Sequence, residues 1–571
     1  MKAKKVLALM LAGAMVLSMA ACGDEGGNSS APENSGAENS DASSGGSEEL
    51  IKTDVADSEN EGELDYTYGE GVTFHSNEPV VYSMMYSDHE NYPYQENWRL
   101  WSAIEEKTNV TFDLTIIART DYEDKKSVLI NSGDSPYIIP KTYSEGQYVN
   151  GGQVVAISEW VQYMPNYQKC VKDWGIDQYL KVQLQADGKY YKLPGIWEAA
   201  GGGYAFMIRK DVWDAAGVDV TELEKTWTYE DFYEACKKVK EYTGCDYVIS
   251  DYSKGDCLLN IVAASYGVAA GWGFGTLKFD HDKLEFYYPD TTDNMKEYLT
   301  FLNKMVKEGI LDPESFSQDD DTARAKFFNG ESFAMTANYQ QLSDYTPNVT
   351  ANFPEAELYM ALTPGGPAGF PQMENSKLEN GIMIAQKALD ELGEEEFIKM
   401  LRFVDWLWYS PEGQMLSLWG VEGETYTMEG DTVKLDPGIT YNGLNPGAEK
   451  KLNVDYGFAG GVFAYGGSSW LKTSKMSEGE RDFNNRIFEY RNERPIDPPY
   501  MPSEEESEEL NLISTPLGDA TKTWIQKFIV GQADIETQWD EYKAELEGLG
   551  VQNYINRVNE IFQNNKSKLG Y

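Results

Sequence analysis

Between residues 380 and 427 the apolar positions change period three times, and each change predicts an element. Gly381 to Ala385 is a short unbroken apolar run, the mark of a buried strand. Glu394, Glu395 and Glu396 then place negative charge where a helix N-terminus has its positive dipole end. Phe397, Met400, Leu401, Val404, Leu407 and Trp408 recur at helical spacing, so one face is built for burial, with Lys399, Arg402 and Asp405 off it. Ser410 and Pro411 cap a second helix, and Gly420 can take the left-handed conformation that ends it.

Similar reading elsewhere predicts strands at 79–85, 110–117 and 204–208, with a helix over 95–108 after the first. Asp187-Gly188 reads as a two-residue hairpin turn within 182–193. Gly217 ends a short helix after Arg209, and Thr228 with Asp231 forms a capping box for a helix through about residue 242. Helices over 523–530, 536–546 and 551–562 finish the chain. A loop such as 86–94, at the C-terminal end of a first strand and leading into a helix, is where open α/β sheets place ligands.

Composition adds scale and compartment. A chain of 571 residues exceeds one core. Its net charge of −46 repels phosphate backbones, so nucleic acid is not an expected partner. Lys2, Lys4 and Lys5, an apolar run from Val6 to Leu17 and Met19-Ala20-Ala21-Cys22 form a secretory signal that resembles a bacterial lipobox. Cys22 is the expected lipidation site. From Gly23 to about residue 65 the chain is acidic and rich in Gly and Ser, the composition of a tether. No later stretch reaches the roughly 18 apolar residues of a membrane span. The membrane is therefore met through lipid only.

The order F-V-D-W-L-W-Y-S-P-E-G-Q followed by W-G-V-E-G-E-T-Y resembles the signature of the family 1 extracellular solute-binding proteins, in particular the long lipoprotein branch that feeds oligosaccharides to ABC importers. Gly133-Asp134-Ser135-Pro136, D-G-K-Y-Y-K-L-P at 187–194, I-R-K-D-V-W-D-A-A-G-V at 208–218, the turn at 327–335 and KFIVGQADIETQWDEY follow the family's order. The resemblance implies an α/β, two-lobed periplasmic-binding-protein-like fold (type II) joined by hinge crossings. The expected division is a signal peptide at 1–21, the tether at 22–65, lobe 1 at 66–200, lobe 2 at 201–379, a return to lobe 1 at 380–440 and a lobe 2 helical part at 441–571. It also implies a monomeric lipoprotein on the outer face of the bacterial cytoplasmic membrane, with ABC permease subunits as partners and no cofactor.

A sugar presents apolar C–H faces and a rim of hydroxyls, so aromatic platforms with polar neighbours are the matching chemistry. The 38 Tyr and 14 Trp supply them. By placement the ligand-binding candidates are Tyr86, His89, Asn91 and Tyr92 in the first loop, Trp197 at the first crossing, Trp272 and Phe274 in G-W-G-F-G, Tyr339, Trp419 and Glu422 beside the second crossing, and Tyr465 and Trp470 in Y-G-G-S-S-W. Trp98, Trp101, Trp406 and Trp408 lie at helical spacing and read as core. Net charge points to a neutral oligosaccharide unless the cleft is locally basic. A peptide or other solute is the first alternative.

Catalytic chemistry has little to build on. There are three histidines, no HExxH, no G-x-S-x-G and no phosphate-binding P-loop. A glycoside-active enzyme or adhesin stays open because it needs only two of the 94 acidic residues. Asp280-His281-Asp282 and Asp319-Asp320-Asp321 read as a hairpin turn and a helix cap, with no metal site. Cys170, Cys236, Cys245 and Cys257 require no disulfide framework, though a Cys236–Cys245 or Cys245–Cys257 bridge is sterically open from sequence.

Overall fold

Alternating apolar segments build two sheets, and three passages of chain join them. In the computed structural model, which describes residues 64–571 apart from 90, 91, 202, 373–375, 461, 462 and 464, a hairpin of β1 (Tyr66–Gly69) and β2 (Val72–Ser76) leads into the larger sheet. Cys22 and nearly all of the tether lie outside the described residues. The larger sheet contains β3 (Val80–Asp88), β4 (Val110–Ala118), β5 (Ile138–Thr142) and β6 (Leu193–Ile196). Beyond it come β7 (Tyr204–Arg209), a hairpin of β8 (Lys278–Asp280) and β9 (Glu285–Tyr287), β10 (Ala334–Asn338) and β11 (Leu358–Ala361). β12 (Leu378–Ile384) returns to the larger sheet, whose order is β4-β3-β5-β12-β6; the smaller sheet is β10-β7-β11. β3 runs parallel to β4 and β5, whereas β12 is antiparallel to both β5 and β6.

The segment around β12 forms as its pattern predicts, with two amendments. The helical run Gln386–Tyr409 is broken at Gly393 (φ 73°), and Glu394 to Glu396 open its second part. Ser410 Oγ accepts the Gly413 N–H at 3.0 Å and caps Pro411–Trp419. Gly420 ends that helix at φ 89° and ψ −134°, a glycine conformation but not the left-handed helical one. The second amendment concerns Lys399, Arg402 and Asp405, which are buried, not solvated. The β1–β2 hairpin covers them: Tyr66 Oη accepts from Arg402, Tyr68 Oη donates to Asp405, and Lys399 pairs with Asp65. Asp405 also accepts the backbone N–H groups of Asn166 (2.9 Å) and Tyr167 (2.7 Å), so all three charged side chains of this buried face have partners, Arg402 Nε alone being left without one among the described residues.

Phe397, Met400, Leu401, Val404 and Leu407 all sit inside the core, each such side chain stabilising the fold by about 1.5–3 kcal/mol. Trp98 and Trp406 are core residues as expected. The capping box of Thr228 and Asp231 is present, as is the short helix Lys210–Ala215 before Gly217. Other boundaries differ. The first helix begins at Arg99, because Trp98 is extended and its indole N–H donates to the Val454 carbonyl at 2.7 Å. The Asp187-Gly188 turn forms without flanking strands, closed by the Lys189 carbonyl accepting from Gln185 at 2.8 Å. The final helices are longer, at Glu504–Ile529, Ile535–Gly548 and Val551–Leu569, since their polar turns continue as solvated faces. All four cysteines at 170, 236, 245 and 257 are unbridged.

Candidate functional site

Parallel β3 and β5 deliver their C-termini to one edge of the larger sheet, and antiparallel β12 begins there. β7 starts and β10 ends at the facing edge of the smaller sheet, where Asn338 pairs with Tyr204. Three passages cross between these edges. The first leaves β6 at Ile196 and reaches Tyr204, and the second enters β12 at Leu378. The third, 465–468, was not expected from sequence. Gly467 pairs alongside Trp197, its N–H donating to the Ile196 carbonyl at 2.8 Å, while Glu198 Oε2 accepts the Ser469 N–H at 2.7 Å. Before it, Phe463 packs on Trp101, Phe112 and Trp408 of the larger sheet's layer; after it, Phe483 joins the core of β7, β10 and β11.

Aromatic and cationic side chains gather at these crossings. Lys141 Nζ lies 4.2 Å from the Tyr465 ring centroid, and Lys472 Nζ lies 4.9 Å from that of Trp197. Trp197 Nε1 donates to Glu379 Oε1 at 3.4 Å. Burial raises the Tyr92 hydroxyl far above its usual range, helped by Tyr465 beside it. His89 stacks on Tyr92 with centroids 4.7 Å apart. Lys141 is 7% exposed; burial lowers its ammonium to about 7, against the pull of Glu379 and with the push of Lys475. Lys475 is lowered to about 8 by burial and by Lys472.

A cavity of about 690 Å³ opens on the same crossings. Its walls include Tyr143 after β5, Gln183 and Lys192 before β6, Glu379 and Asn380 at the start of β12, and Phe279 and Tyr287 of the β8–β9 hairpin. Both amide atoms of Asn380 and of Gln183 are buried without a hydrogen-bond partner among the described residues. Paired amides with free donors and acceptors suit hydroxyl groups, each of which can donate and accept. Lys192 is committed to Glu145 at 3.0 Å.

The sequence candidates divide accordingly. Tyr92, Trp197 and Tyr465 meet at the crossings, with His89 on Tyr92. Tyr339 is buried beside the first crossing, its N–H donating to the Gly203 carbonyl at 3.0 Å. Trp272 is 54% exposed and packs edge-on against Tyr204 at 5.0 Å, also at the smaller sheet's edge. Phe274 lines a separate cavity with Trp272 and with Gly518 and Lys522 of the C-terminal helices. Asn91 lies outside the described residues. Tyr86 is corrected to a core residue: β3 extends through it, and it packs on Tyr94, Trp98 and Trp101. Trp419 is fully buried, its indole donating to Ser474 Oγ at 3.0 Å, and Glu422 is exposed on the turn after its helix. Trp470 donates to the Asp431 carbonyl at 2.8 Å and lines a different cavity, with Tyr409 and Met415. Sequence reading missed Lys141, Tyr143, Gln183, Glu379, Asn380 and Lys475. The one local sign was Asn380, which opens the β12 signature.

The acidic triplets hold their own backbone. Asp280 Oδ1 accepts from Asp282 and Lys283 in the β8–β9 turn, and Asp319 Oδ1 accepts the Thr322 N–H at 2.7 Å as a helix cap. Among the described residues no helix is long and apolar enough to cross a membrane.

Residues 100–401 match the family described as bacterial extracellular solute-binding protein. The fructooligosaccharide ABC transporter substrate-binding protein FusA of Streptococcus pneumoniae is 23% identical over 529 residues, covering 85% of this chain and 90% of that protein. The structure of FusA in complex with kestose superimposes with a TM-score of 0.61 at 18% identity, covering 85% of this chain and 99% of that one. Lipoprotein LipO of Bacillus subtilis is 22% identical over 343 residues, covering 57% of this chain and 64% of that protein. The alginate-binding protein AlgQ2, solved without calcium ion, shares the fold with a TM-score of 0.64 at 15% identity, covering 86% of this chain and 99% of that one.

Proposed function

The chain belongs to the bacterial extracellular solute-binding protein family, and from that premise we propose that it captures an oligosaccharide between its two sheets and hands it, chemically unchanged, to the permease of an ABC importer. The observation that carries the reading is the convergence of Trp197, Tyr92 and Tyr465 on the crossings beside the unpartnered amides of Asn380 and Gln183. Flat rings serve the C–H faces of a sugar, and the amides serve its hydroxyls. Closure follows from contacts that exist only when both edges touch the ligand. FusA, similar along most of both chains, is named for a fructooligosaccharide.

The ligand residues in this proposal are Tyr92, Trp197, Tyr465, Glu379, Asn380 and Gln183, with His89, Trp272 and Tyr339 at the rims. The lobe division is proposed with the return to lobe 1 running from 380 to about 465, since Phe458 and Phe463 pack with that lobe. The same reading makes the protein monomeric and anchored through lipid on Cys22 at the outer face of the cytoplasmic membrane, a role that accords with the lipobox and with the similarity to LipO.

A thermal-shift screen with oligosaccharides tests it. Ligand at 100 times its Kd adds about 2.7 kcal/mol, a visible rise in Tm even for a large chain. A rise with one glycan family, the sugar recovered intact by chromatography, supports an importer's binding protein. A rise with peptides alone sinks the sugar; a cleaved sugar sinks the binder.

A further inference from the structure

The cavity of about 690 Å³ does not end where the crossings do. A second cavity of about 370 Å³ adjoins it, and Val182, His281, Pro495, Ile496 and Asp497 wall both. That shared wall makes the two spaces one groove with an inner and an outer part. The outer part touches none of the three crossings: its remaining walls are Gln178 and Lys181 before β6, Pro498 and Pro499, and residues 569–571 at the end of the last helix. Lys181 Nζ donates to the Leu569 carbonyl at 3.0 Å and Lys568 Nζ to the Ala186 carbonyl at 3.1 Å, so the segment before β6 and the last helix are tied together there.

The outer walls repeat the chemistry of the inner ones. Phe279 and Tyr287 line the inner part, and Tyr571 lines the outer part with its ring centroid 6.0 Å from that of Phe279. Although Phe279 and Phe562 both pack on it, Tyr571 stays 45% exposed. Asp497 stands at the junction. Burial raises the Tyr287 and Tyr571 hydroxyls, the Asp497 carboxylate adds to both shifts, and its Oδ1 lies 3.1 Å from His281 Nε2. Rings and proline faces suit the C–H side of a sugar, and a carboxylate beside an imidazole suits its hydroxyls. A hexose residue fills about 160 Å³, the liquid share of roughly five water molecules. By that measure the inner part has room for about four residues and the outer part for about two more.

We propose that the outer cavity is a further binding site for the same cargo: it seats the outer residues of a linear oligosaccharide whose inner residues lie at the crossings, so that the protein prefers chains of about six residues to chains of three or four. The inference rests on the oligosaccharide reading and deepens it, since the crossings decide whether a sugar binds and the outer cavity decides how long a sugar binds best.

Titration calorimetry on the full chain tests it with linear gluco-, fructo- and xylo-oligosaccharides, each supplied as a ladder from trimer to hexamer. In a ladder that binds, the hexamer should bind at least about tenfold tighter than the tetramer. Tyr571→Ala should remove that gain and leave the tetramer's affinity as in wild type, because Tyr571 walls the outer part alone. Tyr571→Leu keeps apolar packing on Phe279 and Phe562 and removes only the flat ring, so it should act in the same direction even where Tyr571→Ala lowers the Tm of the unliganded chain. Trp197→Ala, at the crossings, should weaken tetramer and hexamer alike. A tetramer that binds as tightly as the hexamer, or Tyr571 variants that keep the gain or weaken every length equally, would overturn the outer site and leave the oligosaccharide reading standing. Binding of no ladder at any length would overturn both.

Discussion

Gly195 on β6 and Tyr465 on the third crossing approach so closely that a β-carbon on Gly195 would lie 1.9 Å from the Tyr465 carbonyl oxygen and 2.9 Å from that of Asn380. Three backbones are thus packed together where the two sheets join, and only hydrogen fits between them. Gly195→Ala must push the first crossing away from the other two. It should destabilise the chain by about 2 kcal/mol or more. Gly518→Ala, on a helix with nothing within 4 Å of the new carbon, should be neutral or stabilise by up to about 0.8 kcal/mol. Thermal unfolding of both variants checks the contrast, and equal effects would deny the close approach.

Asp405 joins three separate parts of the chain: the β1–β2 hairpin through Tyr68, the helix Pro165–Asp173 through Asn166 and Tyr167, and its own helix. Asp405→Ala leaves two buried backbone N–H groups without an acceptor. The expected loss is about 3 kcal/mol. Burial raises the Asp405 carboxyl to about 6 despite these donors. A folded pKa above the unfolded one means that folding binds a proton here, so this contribution is fully present below about pH 4 and is lost as pH rises towards 6. The difference in stability between wild type and Asp405→Ala, measured by denaturant titration, should therefore change across pH 4 to 6 and be flat above 7.

Much of the segment from Gly381 to Trp419 was legible because its information is local: a cap at Ser410, a charged first turn, an apolar stripe. The burial of Lys399, Arg402 and Asp405 was not, because their covering hairpin is supplied more than three hundred residues earlier. Trp197 could be found in the sequence as an aromatic between a strand end and a glycine-rich passage. Trp419 and Trp470 carry the same signal and face elsewhere, since adjacency to glycine says nothing about which side of a turn a ring takes. Lys141 and Lys475 gave no sign at all; lysine is the ordinary residue of a solvated surface, and only the meeting of three passages of the chain encloses these. The third crossing itself hid in Tyr465-Gly466-Gly467-Ser468, which reads as a plain loop.

Lys141 and Lys475 give the opposite slope to Asp405, burial lowering the first to about 7 and the second to about 8. Their folded pKa lies below the unfolded value, so the unfolded chain binds more protons and their cost to stability diminishes as pH rises from about 7 towards 10. Lys141→Met should raise Tm at pH 7 and have progressively less effect at higher pH.

The most direct measurement is calorimetric titration of wild type, Trp197→Ala and Trp470→Ala with the oligosaccharide that gives the largest thermal shift, followed by recovery of the sugar. Trp197 stands at the crossings, whereas Trp470 donates to the Asp431 carbonyl and lines a different cavity. Capture between the sheets predicts one saturable site, a loss of about 2 kcal/mol in Trp197→Ala, no loss in Trp470→Ala, and sugar recovered intact. Equal affinity for wild type and Trp197→Ala, or a sugar returned in pieces, would contradict it.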